Sequence, residues 1–185
     1  MTAYDHVTTL LSFVYALALT HILSRVAALI LARERVAFSP LQAVMTLNAV
    51  IQVLISWLYL WDGRNAGPLS LSTIIVAFVY TIILYFVCAS ATPEATDHSV
   101  DLEEFYWRSR RVFYGFYLLS NIATIFALRS PTGEFPIAAE LATVPFFAPC
   151  ILALAVPARW AQWVSGVGLF VVSATWLLLF NSALR

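Results

Sequence analysis

Taking Asp, Glu, Lys and Arg as breaks divides the chain into six long charge-free stretches: 6–24, 36–61, 65–93, 112–128, 141–158 and 160–184. Their lengths run from 17 to 29 residues, and together they hold 134 of the 185 residues. Each is close to the ~20 residues that an α-helix needs to cross a hydrocarbon layer. The rest of the composition agrees: 62% of residues are hydrophobic and 11% charged, against about 25% charged in an ordinary soluble domain. The expected fold is therefore all-α, a polytopic transmembrane bundle of six helices. No polar segment is long enough to bury a core of its own, so residues 1–185 are expected to form one integral-membrane domain.

Start and stop signals place the helices at about 7–32, 40–61, 68–91, 101–128, 136–156 and 158–184. Arg33-Glu34-Arg35 ends the first. Ser39-Pro40 supplies an N-cap and a proline at the first helical position of the second. The breaker-rich turn Asp62-Gly-Arg-Asn-Ala-Gly-Pro68 precedes the third, which stops at Thr92-Pro93. Asp101 followed by Glu103 and Glu104 makes a capping-box-like start for the fourth, which enters the apolar layer past Arg108, Arg110 and Arg111. Ser130-Pro-Thr-Gly-Glu-Phe-Pro136 is the next turn. Pro145 and Pro149 are expected to kink the fifth helix, and Pro157 closes it.

All ten basic residues are arginine. Seven (Arg25, Arg33, Arg35, Arg108, Arg110, Arg111 and Arg159) fall on one side of the six-helix layout and three (Arg64, Arg129 and Arg185) on the other. Arginine excess marks the cytoplasmic side, so both termini are expected outside, in the periplasm of a bacterial inner membrane. The first apolar run has no basic segment before it and is too long for a cleaved signal, so it is expected to stay as a helix. The absence of lysine excludes Schiff-base chemistry and a P-loop lysine. With no basic patch, nucleic-acid binding has no support. Cys88 and Cys150 stand singly in apolar stretches and read as small buried hydrophobes rather than redox thiols.

Polar residues inside the apolar stretches carry the functional expectation. On the first helix, Thr8, Ser12, Ala16, Thr20, Ser24, Ala28 and Ala32 recur every fourth position. That small-residue stripe, Ser12, Ala16, Thr20 and Ser24 at its centre, is a helix-packing face. His21 and Arg25 lie beside it, four residues apart and so on one face. The second helix carries a polar seam of Gln42, Asn48, Gln52 and Ser56 at helical spacing. Counting ~1.5 Å per residue, His21, Asn48, Gln52 and Asn121 all fall between about 12 and 18 Å from the arginine-rich end, and Arg25 at about 10 Å. His21, Arg25, Asn48, Gln52 and Asn121 are therefore expected to form one polar layer near the midplane, lining a path or acting as a clasp.

Other candidates are weaker. Glu140 reads as an interfacial residue. His6, His98 and His21 sit at three different depths, which argues against a haem or histidine metal site. No catalytic residue, cofactor or metal is expected. An inverted repeat finds only faint support, in Thr20-His21-Ile22 against Ser120-Asn121-Ile122.

An intramembrane enzyme is the least favoured class, because the one acid inside an apolar stretch, Glu140, lies far in depth from His21; two other functions fit these residues better. One is a small oligomeric channel or transporter for a proton, an anion or another small solute. The other is a non-catalytic membrane scaffold, sensor or accessory subunit that uses the same layer as a structural clasp. The cost of keeping ionisable groups on an inner face tips the sequence towards transport. The expected partners are the lipid bilayer and either further copies of the chain or a membrane complex.

Overall fold

The structure, a computed structural model, describes residues 3–62, 71–95, 99–127 and 137–183. It is all-helical, with six helices: α1 (Ala3–Leu31), α2 (Pro40–Asp62), α3 (Leu71–Ser90), α4 (Leu102–Ala127), α5 (Ile137–Ala155) and α6 (Arg159–Ala183). A 3-10 turn at Arg33–Arg35 follows α1. The turns expected between Asp62 and Pro68 and between Ser130 and Pro136 lie largely or wholly outside the described residues, as does His98.

α1 begins earlier than the apolar run alone suggests. Asp5 lies in its first turn, where a negative charge meets the exposed N–H groups of the helix end, and the Thr8 and Thr9 hydroxyls donate back to the carbonyls of Tyr4 and Asp5. Ser39 starts α2: its Oγ accepts from the Gln42 N–H at 3.5 Å, and Pro40 occupies the position where a missing N–H costs nothing. Asp101 starts α4, its Oδ1 accepting from the N–H groups of Glu103 (2.8 Å) and Glu104 (3.1 Å).

Two short strands, β1 (Val36–Ala37) and β2 (Val100–Asp101), pair in parallel, with Val36 opposite Val100 and Ala37 opposite Asp101. The pair joins the α1–α2 connection to the α3–α4 connection, and so fixes one end of the molecule. The C-terminal ends of α1, α3 and α5 and the N-terminal ends of α2, α4 and α6 meet there.

Among the described residues four helices are long and apolar enough to cross a membrane: Tyr4–Leu31, Pro40–Leu58, Leu71–Ser90 and Arg159–Leu178. Thr143–Ala155 is a shorter apolar segment. The distribution of polarity supports a membrane location. Phe13, Leu17, Ile30, Phe78, Phe86, Leu119, Val164, Val171 and Leu178 all face outward, while Asn48, Gln52, Ser56, Asn121, Gln162, Ser165 and Ser173 are buried. Water would drive so much apolar surface inward, whereas lipid accepts it and leaves polar side chains to pair across helices.

Burial singles out α2 as the central helix. Half of its candidate span is buried, against 17% for α1. α1 turns Leu11, Tyr15, Ala18 and Ile22 inward, at the four-and-three spacing of one helix face. The small-residue stripe lies off that face: Ser12 is half-buried, and Ala16, Thr20 and Ser24 are exposed. Packing inside this chain thus uses the larger side chains of α1 rather than its small ones. A strict four-residue repeat also drifts around a helix of 3.6 residues per turn, which carries the stripe away from the buried face.

Candidate functional site

The polar side chains of α2 open the way to the interior. Gln42, at the strand-pair end, donates through Nε2 to the carbonyl of Ala91 beyond the end of α3, and the Thr46 hydroxyl lies 3.0 Å from the same carbonyl. One turn deeper, Asn48 Nδ2 donates to the Gly166 carbonyl of α6 at 2.9 Å and to the Val44 carbonyl of its own helix at 3.0 Å. The helices can approach this closely because Gly166 has no side chain. A Cβ there would stand 3.0 Å from Val44 Cγ1.

Gln52 is the hub of the deepest network. Its Oε1 accepts from the Tyr117 hydroxyl of α4 at 2.8 Å, and its Nε2 lies 3.4 Å from the Tyr80 hydroxyl of α3. Tyr80 shares a 2.6 Å hydrogen bond with Ser56 Oγ, and Ser56 in turn donates to the Gln52 carbonyl at 2.7 Å. Three helices are therefore joined by side chains that carry no formal charge.

Beside this network lies a cavity of about 20 Å³, walled by Gln52 and Ile55 of α2, Tyr80 of α3, Asn121 and Thr124 of α4, Thr143 and Phe146 of α5, and Trp176 of α6. Five of the six helices reach it. Asn121 is buried, with Nδ2 donating to the Tyr117 carbonyl at 2.9 Å. The structure thus brings Gln52 and Asn121 to one place.

The other residues of the expected layer have different neighbours. His21 is half-buried on α1, its ring centroid 5.8 Å from that of Tyr85 on α3, and its Nε2 is buried with no hydrogen-bond partner. Arg25 reaches past the end of α3. Its Nη1 donates to the Thr92 carbonyl at 3.2 Å, and its Nη2 stands 3.8 Å from the exposed carboxylate of Glu94. Asn48 works at the α2–α6 contact, where its Oδ1 and the nearby α6 hydroxyl of Ser165 are buried without partners. The depth count put these groups at one level, but a count along each helix cannot say which way a side chain turns. His6 is exposed on the first turns of α1. Glu140 lies on α5, and its side chain is outside the described part of the structure.

A second polar cluster, at the strand-pair end, combines charge with broken helix backbone. Pro157 has no N–H, so the Ala153 carbonyl loses its usual donor four residues on. Two side chains replace it: Arg110 Nη1 at 2.5 Å and Gln162 Nε2 at 3.1 Å. Gln162 Nε2 also donates to the Val156 carbonyl at 2.6 Å, and its Oε1 accepts from the Tyr106 hydroxyl at 2.9 Å. Arg110 is only 4% exposed, and its guanidinium carbon lies 5.4 Å from the centre of the Trp107 ring. Close by, Glu103 accepts from Ser39 Oγ (2.6 Å) and Trp107 Nε1 (3.2 Å) and stands 3.5 Å from Arg159 Nη2.

Sequence reasoning passed over Tyr80, Tyr117, Arg110 and Gln162. Tyrosine is grouped with the hydrophobic residues in the composition and carries no charge to break an apolar run, yet a tyrosine in mid-span brings a hydroxyl that needs a partner. In the sequence Arg110 reads only as one of the arginines that set orientation and mark where the fourth helix enters the apolar layer. The signal for Gln162 was Pro157 five residues before it, since a proline between two helices exposes carbonyls that a nearby amide can take.

Among the described residues no three His, Cys, Asp or Glu side chains stand close enough to hold a metal ion, and Cys88 and Cys150 are buried free thiols. Comparison of the chain with protein families, with curated proteins and with solved structures finds no match.

Proposed function

We propose that this chain is a six-helix inner-membrane protein, with both termini on the non-cytoplasmic side, that acts as a non-catalytic scaffold or accessory subunit. In this reading its polar interior is a clasp that holds the helices in register. The observation that carries it is the Gln52 network, in which hydroxyl and carboxamide groups of α2, α3 and α4 bond to one another. Groups paired across helices in this way stabilise a bundle in lipid, because alternative partners there are few. A cavity of about 20 Å³ beside the network has room for a water molecule but not for a passing solute. Helix α1, largely unburied within the chain, is left to meet a further copy or another membrane protein.

A second reading is favoured by one specific observation. His21 holds a buried, unpartnered Nε2 one turn from Arg25. A small channel or transporter passing protons or anions would use such a pair, histidine being the side chain that titrates near neutrality.

The two separate in one preparation. Purified protein in proteoliposomes is assayed for proton and anion flux, and the same protein is followed through thermal unfolding. The clasp reading expects no flux above empty liposomes, and a lower unfolding temperature for Gln52→Leu and Tyr117→Phe. A current abolished by His21→Ala, with unfolding unchanged in the Gln52 and Tyr117 variants, would overturn it in favour of transport.

A further inference from the structure

The wall of the cavity beside Gln52 has a chemistry that selects its occupant. Its polar residues are Gln52, Tyr80, Asn121, Thr124 and Thr143, with the Trp176 indole beside them. None of these described residues carries a formal charge. Among the described wall residues a bare cation would find no carboxylate to balance it, and an anion no guanidinium or ammonium. Moving an unpaired ion into a low-dielectric interior costs far more than a few neutral dipoles return. An apolar guest fails on size, since cavities that take a benzene measure about 150 Å³. A volume of about 20 Å³ instead exceeds the roughly 10–15 Å³ that one water needs when measured in the same way.

Hydrogen-bonding capacity points to the same guest. The carboxamide of Asn121 has two donor hydrogens and two acceptor lone pairs, and its bond to the Tyr117 carbonyl uses one of them. Thr124 donates to the Ser120 carbonyl at 3.0 Å and shares a hydrogen bond with the Tyr80 hydroxyl, which still leaves its oxygen a lone pair able to accept. The wall thus offers donors and acceptors together, as a water molecule requires.

The backbone of α5 supplies an independent observation. Pro145 and Pro149 lie inside this helix, so the carbonyls of Leu141 and Pro145 lose their ordinary donors four residues on. Thr143 and Phe146 of the cavity wall flank Pro145. Membrane helices interrupted by proline commonly repair the ladder with a hydroxyl side chain or an ordered water.

We propose that this cavity holds one ordered water molecule, which links the Asn121 and Thr124 side chains of α4 to Thr143 and the proline-interrupted stretch of α5. The proposal extends the clasp reading: direct side-chain bonds join α2, α3 and α4, and the water carries the network on to α5. It also fixes the ligand class of the site as a single neutral hydrogen-bonding molecule.

The test is water-edited solid-state NMR on the full chain, isotopically labelled, in nanodiscs of deuterated lipid. The signal is transfer of polarisation from water to the side-chain amide of Asn121. The backbone amide of Leu84, fully buried on α3, serves as the dry reference. The expected result is build-up several-fold faster at Asn121 than at Leu84, falling to the Leu84 level in Thr143→Val. Equal build-up at the two sites in the unsubstituted protein would overturn the proposal. So would a fast Asn121 signal unaffected by Thr143→Val, because the link to α5 would then be absent. Thermal unfolding of Tyr117→Phe in the same nanodiscs tests the clasp separately. An unchanged unfolding temperature there, with a fast Asn121 signal, would defeat the clasp and leave the water in place.

Discussion

The two polar clusters solve the same problem by different means. At the strand-pair end, Glu103, Arg110, Arg159 and Arg25 use formal charge, anchored by Ser39, Trp107 and Gln162. In the middle of the helices, Gln52, Tyr80, Ser56 and Tyr117 use neutral dipoles alone. The difference follows from solvation. An ion pair near a helix end keeps part of its hydration, whereas the same pair at mid-depth would lose it on both partners. Arg110 marks the boundary. It is buried, but one guanidinium nitrogen meets a carbonyl left without a donor by Pro157, and the charge lies near the face of Trp107.

The largest expected effect breaks the strand-pair end at its most connected neutral residue. Gln162→Leu leaves the Val156 carbonyl without its side-chain donor, leaves the Tyr106 hydroxyl with Tyr114 alone, and weakens the tie to Ala153. The loss of unfolding stability should be about 2–3 kcal/mol, the upper part of the roughly 1–3 kcal/mol range for an orphaned buried polar group. A loss below about 0.5 kcal/mol in detergent-solubilised protein would show that lipid or water replaces these bonds freely.

Next comes the close approach of α2 and α6 that lets Asn48 reach across. Gly166→Val should destabilise by about 2 kcal/mol, because the new side chain runs into Val44. Adding Val44→Ala should recover a good part of that loss. Absence of any recovery would place the strain elsewhere.

A smaller effect is expected at Ser39, which caps α2 and bonds to Glu103. Ser39→Ala should lower stability by about 1 kcal/mol, as for a lost N-cap. The smallest belongs to Arg25. Its 3.8 Å contact with a largely exposed Glu94 is a surface ion pair, so Arg25→Gln should change unfolding by at most about 0.5 kcal/mol. A greater loss would show that the bond from Arg25 to the Thr92 carbonyl, rather than the pair with Glu94, carries its contribution.

The sequence was a good guide to what depends on periodicity and local chemistry. Charge-free runs of spanning length become helices, Ser39-Pro40 opens α2, and Asp101 opens α4. It was a poorer guide to which face of each helix turns inward. The small-residue stripe of α1 reads as a helix-packing face, but within this chain Ala16, Thr20 and Ser24 are exposed, and α2 is the most buried of the candidate spans. Facing depends on the neighbours, and a pattern of small residues fits a second protein as well as it fits the same chain. The site shows the same division. Gln52 and Asn121 meet at one cavity, as equal depth on different helices allowed. His21 and Arg25 stand against α3 and the segment after it, and Asn48 against α6. Tyr80 and Tyr117, which complete the network, are hidden in any scale that scores a tyrosine by its ring.

The claim on which the rest depends is that neutral side chains bonded across helices hold the middle of this protein together. A double-mutant cycle between Gln52→Leu and Tyr117→Phe, read as unfolding free energy in lipid nanodiscs, tests it most directly. The account predicts that the two losses are not additive, with a coupling of about 1 kcal/mol from the bond they share. Strictly additive effects, or no loss from either change, would contradict it.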